Sequence, residues 1–393
     1  MNTIQTVEAI PVRLARDIGA ATGTAGSPTV LGARAGSYRW SSAYPVLYSE
    51  HIETTLVKVT LNDGTVGWGE AQAPVAPRVS AAVIVDILAA VLEGESFGGD
   101  RASIEALWTR MYSAMRVRGQ TGGFMLDAIS GVDLALWDLA GKVQGCPVST
   151  LLAGDSARRT VPAYMSGVPG GSLEARVAFA RAQHAQGFRI FKLYHDSHQA
   201  VLTSVLDALS DALPDSRFAL DALWRFEWPE SRSMLEDLQR RNLLWLECPF
   251  PPEETEWHRR FAAELQIPLA MGESYRTRYE LEPFFGIAKY LQPDLGRCGI
   301  TETMRIAARA AGHGIEIVPH VSIALGPQIA AAIHAAASIP KCRLCEFNPN
   351  VFTASNRYLY TPLSLDNSCY QTPTAPGLGI EIREPEVRKN NLL

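Results

Sequence analysis

Seven ionisable residues recur at nearly one spacing through the second half of this 393-residue chain. Lys192, Asp221, Glu247, Glu273, Asp294, His320 and Glu346 follow one another at steps of 29, 26, 26, 21, 26 and 26 residues. Each closes a short apolar run, as in "IFKLY", "ALDAL", "WLECP" and "VPHVS". From residue 126 onward such runs alternate with amphipathic segments, and strands are expected at 161–168, 188–195, 218–223, 243–249, 268–273, 290–295, 315–320 and 344–348. Eight β/α units fit a closed β/α barrel, although a doubly wound open sheet has the same local rhythm. The position of the charges separates the two. In a barrel all strand ends meet at one mouth, whereas an open sheet spreads them along a line. So many buried charges are tolerated only if they neutralise one another or a bound cation.

Asp221, Glu247 and Glu273 stand on successive strands and offer oxygen ligands with no cysteine or histidine among them, a set that suits magnesium or manganese. Asp294 and His320 end neighbouring strands, so the carboxylate can hold the imidazole tautomer and support it as a base. In "RIFKLYHD", Lys192 and Tyr194 are two apart on a strand and share one face, while Leu193 and His195 take the other. His195 is therefore expected to be structural. A divalent ion that grips a substrate carboxylate acidifies the adjacent carbon, which points to proton abstraction α to a carboxylate.

The first 125 residues have a different texture. Residues 3–14, 51–61 and 65–70 alternate as strands, with "NDG" at 62–64 as a hairpin turn, and helical patterns follow at 78–94 and 101–117. Residues 17–50, rich in small residues and aromatics, suggest a mobile lid. The chain is 47% hydrophobic with a net charge of −5, which provides a large core and no basic field for nucleic acid or a membrane surface. A small-molecule ligand and a cytoplasmic location are expected. The six cysteines are too sparse for a disulfide framework, and Cys342 and Cys345, a lone CxxC, are expected as reduced core thiols. "GVPGGS" at 167–172 misses phosphate-loop spacing and is expected to be a strand-to-helix turn.

Together with the ordered carboxylates, "AISGVDLALWDLAGKVQGCPVSTLLAG" from Ala128 and "VPHVSIALGPQIAAAIHAAASIP" resemble the enolase superfamily, and within it the mandelate racemase group with its acid-sugar dehydratases. The resemblance covers nearly the whole chain. It implies an α/β fold, a modified (β/α)8-type TIM barrel at 126–355, under an α+β N-terminal capping domain at 1–125 completed by residues 356–393. It further implies bound Mg2+, a His320–Asp294 dyad, Lys192 and Glu346 near the substrate carboxylate, and a homo-oligomer. Two departures stand out. Tyr194 replaces the second lysine of the group's Lys-x-Lys, the usual base, and Leu223 replaces the asparagine of Asp-x-Asn. A phenol beside Lys192 and a metal is expected to favour its ionised form, so Tyr194 remains a candidate catalytic residue beside a hydrogen-bonding alternative.

The expected reaction is dehydration of an aldonate or aldarate to a 2-keto-3-deoxy acid. Racemisation or epimerisation of a 2-hydroxy acid, which needs bases on both faces, and non-catalytic sugar-acid binding are the alternatives. Cycloisomerisation is disfavoured, because that branch places a lysine where His320 stands. Arg225, or Arg39 beside Trp40 in the lid, is the expected partner for the far end of a diacid.

Overall fold

The computed structural model describes residues 2–15, 29–30, 38–41, 46–195 and 199–393. The first strand, Asn2–Leu14, pairs antiparallel with Ile52–Leu61, which pairs in turn with Val66–Ala71. Asn62 to Gly64 make the turn between the last two, with Gly64 at φ 87° and Leu61 N donating to Thr65 O at 2.9 Å. This is the meander read from alternation. A two-residue strand, Ser96–Phe97, extends its edge. Helical residues Pro77–Leu92, wound as a π-turn over Ile84–Leu88, cover it, and the helix Arg101–Arg116 packs on these helical residues.

The helix Gly123–Gln144 is buried along almost its whole length, because it is sandwiched between the capping sheet and the barrel. Glycine makes that contact possible. A Cβ at Gly69 would lie 1.9 Å from Gly131 O, so strand and helix meet backbone to backbone. Three buried acids on this helix are all partnered: Asp127 by Arg276, Asp133 by Thr301, and Asp138 by Lys142 and the backbone N–H groups of Trp68 and Leu378.

The barrel strands are β1 (Thr160–Ser166), β2 (Ile190–Tyr194), β3 (Arg217–Asp221), β4 (Leu246–Glu247), β5 (Leu269–Met271), β6 (Tyr290–Leu291), β7 (Glu316–Ile317) and β8 (Cys345–Phe347). They pair in parallel in chain order, and β8 returns to β1. Glu346 N donates to Pro319 O at 3.3 Å across the remaining seam, which closes the ring and decides against the open sheet. Tyr164 and Trp245 meet edge to face at 5.2 Å inside it, and small Ala219 and Ala270 make room for them. Side chains thus plug the barrel beneath its mouth.

The "GVPGGS" segment is a turn that ends with the Ser172 side chain capping the helix Leu173–Ala185. A hairpin, Leu365–Asp366 with Cys369–Gln371, adds antiparallel to β1. The chain then returns to the first strand, where Leu392 N donates to Pro11 O at 2.9 Å and Lys58 pairs with Glu384 at 3.0 Å. All six cysteines are free thiols, and Cys342 and Cys345 are buried. Among the described residues no helix is long and apolar enough to cross a membrane.

Much of the expected lid, residues 17–28, 31–37 and 42–45, lies outside the described residues. The parts that are described, Thr29–Val30, Tyr38–Ser41 and Val46–Ser49, form a small antiparallel sheet.

Candidate active site

At the carboxyl ends of the barrel strands a cavity of about 270 Å³ is lined by Lys192, Tyr194, Asp221, Glu273, His320 and Glu346, under a roof that includes Leu47 and Tyr48. A larger groove, about 730 Å³, runs between residues 147–159 and 361–379 and contains none of the strand-end residues.

Asp221, Glu247 and Glu273 each bring a carboxylate oxygen to within 4.8 Å of the other two. Asp221 and Glu247 are the last residues of β3 and β4, and Glu273 follows β5 by two residues. The position of Glu247 is held from behind, since one oxygen accepts from Trp245 Nε1 at 2.9 Å and Gln292 Nε2 at 2.6 Å. Burial, and then the charge of Glu247, raises the pKa of Asp221 well above the usual carboxylate range, and burial likewise raises that of Glu273. Three crowded, oxygen-only, desolvated donors form a set that a hard divalent cation would relieve, and the residues fit such an ion.

Lys192 Nζ lies 2.5 Å from Glu247, 2.8 Å from Glu346 and 3.7 Å from Asp221. Burial alone would lower its pKa, but Glu247 and Glu346 outweigh that effect and keep the amine charged. On Glu346 the same contact works in reverse. Burial opposes ionisation, yet Lys192 and His320 pull its pKa down to about 2. Glu346 also accepts from Val321 N at 2.9 Å, which fixes the carboxylate between β8 and the loop after β7.

His320 and Asp294 are joined across adjacent strand ends, with Nδ1 at 2.7 Å from Asp294 Oδ2. Nε2 therefore faces the cavity, 3.4 Å from Glu273 and 3.9 Å from Glu346. Burial depresses the imidazole, but Glu273, Glu346 and Asp294 together raise its pKa to about 10. Engaging the Glu273 charge with a cation removes the largest of these attractions and returns the imidazole toward its ordinary value.

The sequence did not single out Ser166, the last residue of β1. Its hydroxyl donates to Glu346 Oε1 at 2.5 Å and lies 3.0 Å from the Tyr194 hydroxyl. A serine has one proton, and here the carboxylate takes it, so Tyr194 donates to Ser166. Burial raises the Tyr194 pKa above its ordinary value and outweighs the attraction of Lys192. The expected phenolate was one beside both Lys192 and a metal, and Lys192 alone does not favour it. Ser166 had a signal in the sequence, since it precedes Lys192 by 26 residues, the commonest step of the series. Its neutral hydroxyl hid it.

Arg225 is not among the described cavity-lining residues, and its guanidinium donates to the His195 carbonyl. Leu223 and Trp224 line the wall instead. The side chain of Arg39 lies outside what is described, and Trp40 is exposed and does not line the cavity. His195 packs against Phe226, edge to face at 5.2 Å, on the face opposite Lys192.

Residues 175–387 match a family described as enolase C-terminal domain-like, and residues 39–153 match the mandelate racemase / muconate lactonizing enzyme N-terminal domain. The chain belongs to the mandelate racemase group of the enolase superfamily. Within that superfamily it is 34% identical, over 83% of its length and 88% of the relative's, to a D-galactarolactone cycloisomerase of Agrobacterium fabrum. It is 31% identical to a D-galactonate dehydratase of Cronobacter sakazakii, with 84% and 89% of the two chains covered. A solved enolase-superfamily structure from Agrobacterium tumefaciens superposes with a TM-score of 0.91 at 30% identity, covering 98% of each chain.

Proposed function

We propose that the protein is a magnesium-dependent dehydratase of a sugar acid. The observation that carries this reading is the convergence of the His320–Asp294 pair, the Lys192–Glu346 pair and the three-carboxylate cluster on one cavity. Asp221, Glu247 and Glu273 would hold the ion, which when bound supplies positive charge against a carboxylate and the oxygens that become negative as the α-proton leaves.

His320 Nε2 takes the C2 proton while Asp294 holds Nδ1, and the C–H electron pair becomes the second bond of an enediolate. Lys192 faces the developing charge on C1. As the enediolate collapses, the C3–O bond breaks and His320 returns its proton to the departing hydroxyl, so that water leaves. The resulting enol tautomerises to the 2-keto-3-deoxy acid. One base on one face is sufficient for this sequence. Racemisation needs a second, and a Tyr194 phenol that donates to Ser166 is a poor one. Asn348 and Asn350 also line the cavity; Asn348 Oδ1 caps the helix Pro349–Asn356, which leaves its amide N–H groups to suit substrate hydroxyls.

A second reading draws on the relative named for a lactone. The objection to cycloisomerisation was the histidine at 320, yet a cycloisomerase is similar to this chain over most of its length. Opening a sugar lactone that keeps a free carboxylate also starts with loss of the α-proton. The β C–O bond that breaks then belongs to the ring ester, and the leaving group is a carboxylate instead of hydroxide.

The test is incubation with Mg2+ in deuterated water against aldonates, aldarates and their lactones, following keto acid and deuterium at C2. Keto acid from open-chain acids supports dehydration, and keto acid from lactones alone supports the second reading. Inversion with exchange would instead indicate an epimerase, and no turnover a binder.

A further inference from the structure

The dyad aspartate is itself held by groups that neither the metal cluster nor the substrate contacts account for. Asp294 Oδ2 accepts from His320, while Oδ1 accepts from Gly296 N at 2.8 Å and from the Gln328 side-chain amide at 2.9 Å. Gln328 is fully buried in the helix Gly326–Ser338, which follows the His320 loop. Because the carboxylate only accepts, the amide nitrogen must face it, and Gln328 Oε1 is left buried with no hydrogen-bond partner. An unsatisfied buried carbonyl costs stability, so packing alone does not explain a glutamine here. Gly296 is fitted to it as well, since a Cβ at that position would lie 2.4 Å from Gln328 Oε1.

Both donors to Oδ1 are held by the capping-domain strand Val66–Ala71 and the residue that follows it. Buried Glu70 accepts from Leu325 N at 2.6 Å and Gln328 N at 3.2 Å, which pins the first turn of the helix carrying Gln328. Thr54 Oγ1 donates to the same Glu70 carboxylate at 2.9 Å. Two residues along, Gln72 N donates to Gly296 O at 2.9 Å.

We propose that Gln328 is a positioning residue that orients Asp294 for its hydrogen bond to His320, and that Glu70 and Gln72 make this orientation depend on the seating of the capping domain. The inference rests on the reading above only in taking His320 as the group that moves the proton. Removing the amide donor frees the Asp294 carboxylate to turn, which loosens the tautomer of His320 and leaves the substrate and metal contacts untouched.

The test uses the full chain with Mg2+, labelled with 15N-histidine, the His320 signals being identified by their loss in His320→Asn. In Gln328→Met, which keeps the side-chain length and removes the donor, the His320 Nδ1–H proton is expected to exchange with solvent at least about tenfold faster than in wild type. On a substrate that wild type turns over, kcat should fall about 10- to 100-fold with KM unchanged. Glu70→Gln should move both readouts the same way by a smaller factor. Unchanged His320 signals in Gln328→Met would overturn the proposal, as would kcat, KM and unfolding midpoint declining together in both variants. The spectroscopic arm needs no substrate, so a wild type inert toward every sugar acid would refute the proposed reaction while Gln328 is still decided.

Discussion

His320 and Tyr194 face one cavity, and the surroundings of each predict different costs of removal. His320→Asn keeps the shape and a hydrogen bond to Asp294 but leaves no group able to take the proton. Deuterium incorporation at C2 should fall about 10²- to 10⁴-fold, read by NMR of recovered substrate. Tyr194 is half-buried and donates to Ser166, and desolvation favours its neutral form. Tyr194→Phe therefore removes a hydrogen bond worth roughly 0.5–1.5 kcal/mol, a loss of about two- to fifteenfold in kcat/KM. A loss of about 10³ or more would instead assign the tyrosine a proton-transfer role. At this scale the charged members of the site were legible because a buried charge needs a reason, and its recurrence at one β/α step supplied it. Ser166 and Gln328 carry no charge, and nothing local distinguishes them from other polar residues.

The loop after β3 carries a local conflict between sequence and backbone. Leu223 and Trp224 are both left-handed, at φ 53° and 54°, a conformation that branched and bulky residues rarely adopt. Leu223 N donates to Asp221 Oδ1 at 3.0 Å, so the turn also orients a carboxylate of the cluster. Asparagine tolerates that backbone better. Leu223→Asn should therefore stabilise the fold by about 0.5–1 kcal/mol in urea unfolding, while the apolar cavity wall is lost and KM rises. Most elements were legible from period alone, since the capping meander alternates and the barrel strands are short apolar runs between amphipathic helices. The strand Ser96–Phe97 was not, because two residues are too few to carry a period. Nor was the small sheet of Thr29–Val30, Tyr38–Ser41 and Val46–Ser49, whose strands of two to four residues are likewise too short to carry one.

At the scale of the whole molecule, the C-terminal segment is tied to the barrel helices through a histidine that must remain neutral. His334 Nδ1 accepts from Ser149 N at 3.1 Å, its Nε2 lies 3.2 Å from Leu378 O, and burial lowers its pKa to about 4. Above pH 6.5 both folded and unfolded chains hold this imidazole neutral. As pH falls from 6.5 toward 4 the unfolded chain takes up a proton that the folded one refuses, so stability declines, by roughly 3 kcal/mol in total. The difference between wild type and His334→Gln in unfolding free energy should narrow by that amount over this window, and a constant difference would contradict the assignment. Closure of the barrel was the step the sequence supported only indirectly, by requiring that separated charges meet. That they do meet is what the chemistry depends on, and metal binding measures it. Isothermal titration of the metal-free protein with Mg2+ or Mn2+ should give one ion per chain, with affinity reduced at least about hundredfold in Glu247→Gln and retained in His320→Asn. No binding by wild type, or binding indifferent to Glu247→Gln, would contradict the account.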